Sequence, residues 1–342
     1  MNISDRKKRL LWQVPFLCFL IAGTVYIIRQ QQDAPYQHNR GAIFGTTYHI
    51  AYQSSDNLEK EILEELNKVD ASLSTFNKRS IISRINRNES VAPDEMFLEV
   101  FQLAEQISKE TDGAFDITVA PLVNAWGFGF KTGAKPTPNT IDSLRRIVGF
   151  KKVSYSNGRI KKQDPRIMLD CSAIAKGFGS DVVARYLRSK NIKNFMVEIG
   201  GEIVASGISE KRLPWNVGVA RPTDDSLNIN QELQTVLSIT DKAMATSGNY
   251  RKFYYKDGKK YAHTIDPRTG YPVQHNILSA TVLANNCATA DAYATAFMVM
   301  GLEKTQQLIE NHPRIQAYLI YTDPQGHNKV WFSPALKDKI RN

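Results

Sequence analysis

The chain has 342 residues, 42% of them hydrophobic and 23% charged, with a formal net charge of +10. That balance excludes a disordered or low-complexity chain, and the length supplies a sizeable core in one large domain or two smaller ones. The basic excess is scattered in pairs such as Lys151-Lys152 and Lys259-Lys260, which argues against nucleic acid as a partner and leaves a polyanionic small molecule open.

The first element is apolar. Arg6-Lys7-Lys8-Arg9 precedes an uncharged run from Leu10 to Ile28, and as a helix that run spans roughly 28 Å, close to the hydrocarbon thickness of a bilayer. A cleaved signal peptide has a shorter apolar run and a small-residue cleavage site. Here Ala22-Gly23-Thr24 is followed by bulky Val25-Tyr26-Ile27-Ile28, so an uncleaved anchor is favoured over a cleaved signal or a buried core helix. The basic cluster keeps the N-terminus cytoplasmic and sends the rest of the chain outward. The expected organisation is an anchor or signal segment over 1–29, a polar linker over 30–40 and a catalytic domain over 41–340.

Gly45 to Gln53 is β-branched and aromatic, as in a strand. Leu58 to Leu73 and Asp94 to Thr111 carry apolar residues three and four apart, as amphipathic helices do. Ser83 to Asn88 reads as a polar transition and Thr132 to Asn139 as a loop, with a helix over Ile141 to Val148. Asn157-Gly158 and Gly200-Gly201 mark two hairpins. Ile167 to Leu169 reads as a strand and Ala175 to Ser189 as a helix. Further strands are expected at Trp215 to Ala220, Gln234 to Thr240, Lys252 to Tyr255, Leu278 to Leu283 and Ala317 to Tyr321, and helices at Ala288 to Met300 and Glu303 to Glu310. Strands outnumber helices and hairpins exclude a purely parallel sheet. The fold class is therefore α+β (mixed α/β), with antiparallel-rich sheets, packed helices and an N-terminal transmembrane or signal-anchor helix.

Four stretches can carry chemistry. In Met168 to Asp181 (MLDCSAIAKGFGSD) a strand, a small-residue turn and a helix N-terminus follow one another. Backbone N–H groups there can approach a phosphate, with Lys176 adding a full charge; a plain strand-turn-helix with glycines for close packing is the alternative. In Ala290 to Phe297 (ADAYATAF) Asp291 and Thr295 share one helix face. With a carbonyl from elsewhere they make an all-oxygen set suited to Mg2+, against the alternative of a helix cap. Thr246-Ser247-Gly248-Asn249 reads as a polar turn able to line a pocket. Asp266-Pro267-Arg268-Thr269-Gly270 is a rigid turn three residues after His263. In Thr111 to Gly129, Phe115, Trp126 and Phe128 can stack on a planar ring, with Asp116 accepting from ring N–H groups, or the segment is an aromatic core. Cys18, Cys171 and Cys287 show no metal-ligand spacing, and a disulfide is open only to the last two.

Taken in order, Gly45-Thr46-Thr47-Tyr48, Leu73-Ser74-Thr75-Phe76, TDGAFD from Thr111, Leu169-Asp170 with AIAKG from Ala173, and Gly200-Gly201-Glu202-Ile203 are followed by ATSGNY from Ala245, His263 through Pro272, and Ala290-Asp291 with Ala294-Thr295. This succession resembles the ApbE family of FAD:protein FMN transferases. The resemblance implies an Mg2+-dependent enzyme that moves the FMN half of FAD onto a Ser or Thr hydroxyl of an acceptor flavoprotein and releases AMP. It implies metal ligands at Asp291, Thr295 and the Ala173 carbonyl. Flavin-nucleotide contacts are implied at Phe44, Phe76, Ala114, Phe115, Asp116, Asp170, Lys176 and Ile265. His263 is then the candidate general base, and Asp266 either orients it or caps its turn. The implied acceptors are flavoprotein subunits of membrane redox complexes. The implied location is the bacterial inner membrane, with the catalytic domain facing the periplasm. FAD hydrolysis to FMN and AMP, and FAD storage without turnover, are the rival functions. Cys171-Ser172 departs from the Leu-Gly common after the aspartate, but both residues are small enough to keep the turn.

Overall fold

The computed structural model describes residues 13–25, 34–129, 136–222, 232–249, 253–256, 259–274 and 276–341. Residues 13–25 are helical (α1) and exposed on nearly every side. Among the described residues no helix is long and apolar enough to cross a membrane. The ends of the expected 10–28 span lie outside the described residues.

The strands are β1 Tyr36–Ile43, β2 Thr46–Gln53, β3 Val153–Ser156, β4 Arg159–Lys162, β5 Phe195–Ile199, β6 Glu202–Ser206, β7 Trp215–Ala220, β8 Leu233–Ile239, β9 Lys242–Gly248, β10 Phe253–Lys256, β11 Lys259–Ala262, β12 Ile277–Ala284, β13 Gln316–Thr322, β14 Asn328–Phe332 and β15 Ile340–Arg341. The remaining helices are α2 Glu59–Leu73, α3 Ile81–Asn86, α4 Glu95–Glu110, α5 Ala120–Ala125, α6 Pro138–Arg145, α7 Ala175–Ser189, α8 Cys287–Met300 and α9 Leu302–Asn311. Eight strands form one sheet in the order β1-β2-β5-β6-β9-β12-β13-β14, and every neighbouring pair is antiparallel. A smaller sheet, β15-β8-β7, and the hairpins β3-β4 and β10-β11 complete the β-structure. The α+β class with antiparallel sheets is what the chain adopts.

Period-two alternation explains the layers. Ala243 and Ala245 of β9 enter the core shared with α7 and α8, while Met244 between them packs against Trp215, Val217 and Leu237 of the small sheet. The small side chains on the helix side let α8 lie close over β9 and β12. That helix is buried on all faces, with Ala288, Ala290, Ala292, Ala294 and Ala296 inside, so the one charge it carries, Asp291, is buried with it. Helices hydrophobic all round belong in a core.

Several expectations are corrected. The polar stretch expected as a linker already contains Tyr36 to Arg40 of β1, which pairs along its whole length with β2. Ser83 to Asn88 is mostly α3, capped by the Ser80 side chain accepting from the Ser83 N–H. The expected loop after Thr132 gives way to α6 at Pro138, capped by Thr137; residues 130–135 lie outside the described set. Among the described residues Ile167 to Leu169 belongs to no strand, and the Asn86 side chain bonds the Leu169 backbone as a strand would. Its Oδ1 accepts from the Leu169 N–H at 2.7 Å and its Nδ2 donates to the Leu169 carbonyl at 2.8 Å. Thr246 to Gly248 is not a turn but the end of β9, at the centre of the large sheet.

Candidate active site

The N-terminal turns of α7 and α8 cross in contact. A Cβ on Gly177 would lie 2.4 Å from the Cys287 carbonyl oxygen and 2.9 Å from the Ala288 nitrogen, so only glycine permits the crossing. The Gly177 N–H donates to Asp291 Oδ2 at 3.1 Å. Lys176, one residue earlier, places Nζ 2.5 Å from Glu202 Oε1 on β6. Three charges therefore share a mostly buried space: Asp291, Lys176 and Glu202. Burial pushes the carboxyl of Asp291 upward, opposed by Lys176 and the Gly177 N–H. Burial likewise pushes Glu202 up, opposed by Lys176. Burial alone pulls Lys176 down, but Asp291 and Glu202 outweigh it and raise the ammonium above its ordinary value. Glu202 Oε2 is buried with no hydrogen-bond partner among the described residues. A buried acid left partly unsatisfied is costly, and costly groups concentrate at working sites.

The donors expected for a metal lie on or next to these two helices. In a continuous helix the Gly177 N–H would bond the Ala173 carbonyl four residues back; here it goes to Asp291, and among the described residues no backbone N–H is bonded to the Ala173 carbonyl. One turn beyond Asp291, the Thr295 hydroxyl lies 3.2 Å from Ser247 Oγ at the end of β9. A carboxylate, a hydroxyl and a free carbonyl are hard oxygen donors, the set that Mg2+ prefers with waters filling its octahedron. No cluster of three or more His, Cys, Asp or Glu side chains suited to a metal occurs among the described residues. Cys171 and Cys287 are buried free thiols, not a disulfide, and burial raises both far from the thiolate form.

The end of β9 also joins this junction to the loop that carries His263. Asn249, two residues beyond Ser247 and so about 7 Å along the strand direction, accepts the Thr264 hydroxyl on Oδ1 at 2.7 Å. His263, half-buried, precedes Thr264, and its ring and that of Phe128 make a T-shaped contact at a centroid distance of 6.4 Å. Val273, at the loop's other end, packs with Val299 of α8 and with Ala114. The turn itself is structural. Gly270 N–H donates to the Asp266 carbonyl at 2.8 Å, and Gly270 has φ +80 with no room for a Cβ against Ile141. The Asp266 carboxylate accepts from the Arg268 N–H and side chain at 2.9 Å each. Of its two expected roles it takes the cap. Ile265 is buried with Trp126, Leu122 and Ile141, and bridges to Pro272.

The other expected nucleotide contacts divide. Phe44 sits at φ 52 in the Phe44-Gly45 hairpin turn, and a Cβ on Gly179 would lie 2.7 Å from its ring. This left-handed conformation costs a non-glycine residue about 1 kcal/mol and lays Phe44 on the first turns of α7. Phe76 is 76% exposed on the loop after α2, as a stacking platform requires. Phe115 and Ala114 are buried core side chains, so Phe115 is no open wall for a ring. Asp116 is spent on its own neighbourhood: Oδ1 accepts from the Thr118 N–H at 2.8 Å and its hydroxyl at 2.7 Å, and Oδ2 from the Phe150 N–H at 2.7 Å. That corrects its expected role as an acceptor for ring N–H groups. Trp126, expected to stack on a ring, is buried and donates its indole N–H to the Gly270 carbonyl at 2.8 Å. Asp170 accepts from the Ser172 N–H at 2.8 Å, while its own N–H donates to the Ile117 carbonyl at 2.7 Å. That bond sets the turn carrying Ala173 beside the 114–118 segment.

Sequence reasoning singled out neither Glu202 nor Asp181. Ser247 and Asn249 were expected to line a pocket, but as a turn rather than at the end of β9. Asp181 lies in the second turn of α7, and no local signal marks what it touches.

Comparison with known proteins gives one consistent relationship. The ApbE family model matches residues 44–319. A protein of Vibrio cholerae named FAD:protein FMN transferase is 37% identical over 314 residues, covering 89% of this chain and 93% of the relative. One of Haemophilus influenzae with the same name is 38% identical, covering 84% of this chain and 86% of the relative. The solved Flavin Transferase ApbE from Vibrio cholerae superposes with a TM-score of 0.80 at 37% identity, covering 90% of this chain and 99% of that one. The apo flavinyl transferase ApbE of Pseudomonas stutzeri gives 0.78 at 29% identity, covering 90% and 98%.

Proposed function

The chain belongs to the ApbE family, and from that membership we infer that it is an FAD:protein FMN transferase. The observation that carries the chemistry is the crossing of α7 and α8, which brings buried Asp291 to the Gly177 N–H and to Lys176. The reaction is a phosphoryl transfer. The oxygen of an acceptor Ser or Thr bonds to the FMN phosphorus of FAD, the bond from that phosphorus to the bridging pyrophosphate oxygen breaks, and AMP leaves with the electron pair. Such transfers need charge neutralisation and alignment more than an enzyme nucleophile.

Asp291, Thr295 and the Ala173 carbonyl would hold Mg2+, which when bound neutralises pyrophosphate charge. Lys176, kept protonated by its two carboxylate neighbours, meets the same developing charge at the N-terminus of α7. His263 takes the acceptor's proton, histidine being the side chain suited to that exchange near neutral pH. The path from Thr295 through Ser247 and Asn249 to Thr264 supports the role by tying the His263 loop to the metal residues. Phe44 and Phe76 supply aromatic surface for the nucleotide, and Asp170 and Ile265 shape its surroundings.

The acceptors are flavoprotein subunits of membrane redox complexes. The catalytic domain faces the periplasm from an inner-membrane anchor, a reading supported by the exposed apolar side chains of α1, among them Phe16, Leu17, Phe19 and Ile21. Protease protection in spheroplasts tests the orientation; a catalytic domain shielded from external protease refutes it. The activity is tested by incubating the full chain with FAD, Mg2+ and an acceptor flavoprotein and reading in-gel flavin fluorescence. Covalent flavin that requires both Mg2+ and Asp291 is expected. Free FMN formed equally fast without acceptor would make it a hydrolase, and FAD left intact would make it a carrier.

A further inference from the structure

Each of the two crossed helices is capped by the other's aspartate. Asp291 of α8 accepts from the Gly177 N–H of α7. In return Asp181 of α7 accepts the Cys287 N–H on Oδ1 and the Ala288 N–H on Oδ2, both at 2.8 Å. Asp181 is buried at this contact. α8 already has a local cap, since the Asn286 side chain accepts from the Thr289 N–H at 2.8 Å. A local cap satisfies a helix end wherever the helix lies; a remote carboxylate on the next two amides also fixes its position. With a glycine at the crossing and no room for one more carbon, the two helices have no slack along this contact. Asp291 and Thr295 follow in the next turns of α8, and Ala173 sits just before α7.

We propose that Asp181 is a positioning residue for the metal-binding set: by clamping the first turn of α8 onto α7 it fixes Asp291 and Thr295 against the Ala173 carbonyl, although it touches none of the three. The inference rests on the Mg2+ reading above. Residues that orient ligands from behind typically govern metal affinity by about 10- to 100-fold.

The test is calorimetric titration of Mg2+ alone into the full chain. Asp181→Asn keeps the volume but turns a donor toward a backbone N–H, and the Mg2+ dissociation constant is expected to rise about tenfold or more. Asn286→Ala, which removes the local cap of the same helix, is expected to lower the melting temperature and leave that constant within about twofold. A folded Asp181→Asn chain with wild-type Mg2+ affinity overturns the proposal. Should that variant not fold, hydrogen exchange on the wild-type chain decides: the Cys287 and Ala288 amides are expected to exchange more slowly when Mg2+ is added, and unchanged exchange overturns the proposal. If the wild-type chain takes up no Mg2+, or Asp291→Asn binds it as the wild type does, the metal reading itself falls and the role of Asp181 falls with it.

Discussion

The acidic residues at the α7–α8 crossing and those on the surrounding loops look alike in sequence but are treated differently by the fold. Asp116, Asp170 and Asp266 each accept from donors two residues further along the chain. They staple their own turns, as short acidic side chains do in loops. Asp291 and Glu202 face a lysine across the fold, and one buried oxygen of Glu202 has no hydrogen-bond partner among the described residues. A turn acid satisfied by its neighbours has little left to offer a ligand. An acid held buried against a cation is poised for a second cation or a phosphate.

The largest effect expected from this contrast is on Asp291. Replacing it with Ala removes the proposed metal donor and the α7 cap together, and transfer rates should fall about a thousandfold or more. Near-wild-type covalent flavin in such a variant would erase the distinction between the two groups of acids. His263→Ala should slow transfer by about a hundredfold or more while FAD affinity changes little; equal losses in rate and affinity would make His263 a binding residue only.

A smaller effect sets Asp181 apart from the turn acids. Burial pushes its carboxyl up from 3.8 to about 6, with the Cys287 and Ala288 N–H groups and Arg185 pulling down and Glu99 pushing up. The folded chain therefore holds this proton more tightly than the unfolded chain. The stability it contributes is complete below about pH 4 and lost as pH rises through about 6. A shift of that size corresponds to about 3 kcal/mol. Wild-type stability should therefore decline by about that much relative to Asp181→Asn between pH 4 and 7, measured by denaturant unfolding. A parallel pH course for the two chains would show that Asp181 is not held against burial.

The smallest effect belongs to a turn acid. Asp116→Asn should cost about 1–2 kcal/mol through weakened bonds to Thr118 and Phe150, and leave the transfer rate of the folded chain within a few-fold. A large rate loss at unchanged stability would return Asp116 to the nucleotide site.

Much of the architecture was legible because it follows from local periodicity. The 3.6-residue spacing placed α2 and α4 within a residue, and Asn157-Gly158 placed the β3–β4 hairpin, where both residues adopt positive φ. Elements without such patterning were missed. β1 is polar because one edge and one face of it meet solvent. The end of β9 carries Thr246-Ser247-Gly248, turn-like residues that the strand accommodates only because β12 pairs with each of them.

The site divides in the same way. Sequence alone determined that Asp291 and Thr295 share a helix face, that Gly270 closes a tight turn, and which family motifs stand in order along the chain. Only the tertiary structure decided which acids are spent and which are poised. The decisive partners lie far apart in the chain: the Gly177 N–H is 114 residues from Asp291, and the Cys287 N–H is 106 from Asp181. Whether a buried carboxylate is satisfied depends on the donors that reach it, and here those donors arrive only when two distant helix ends cross.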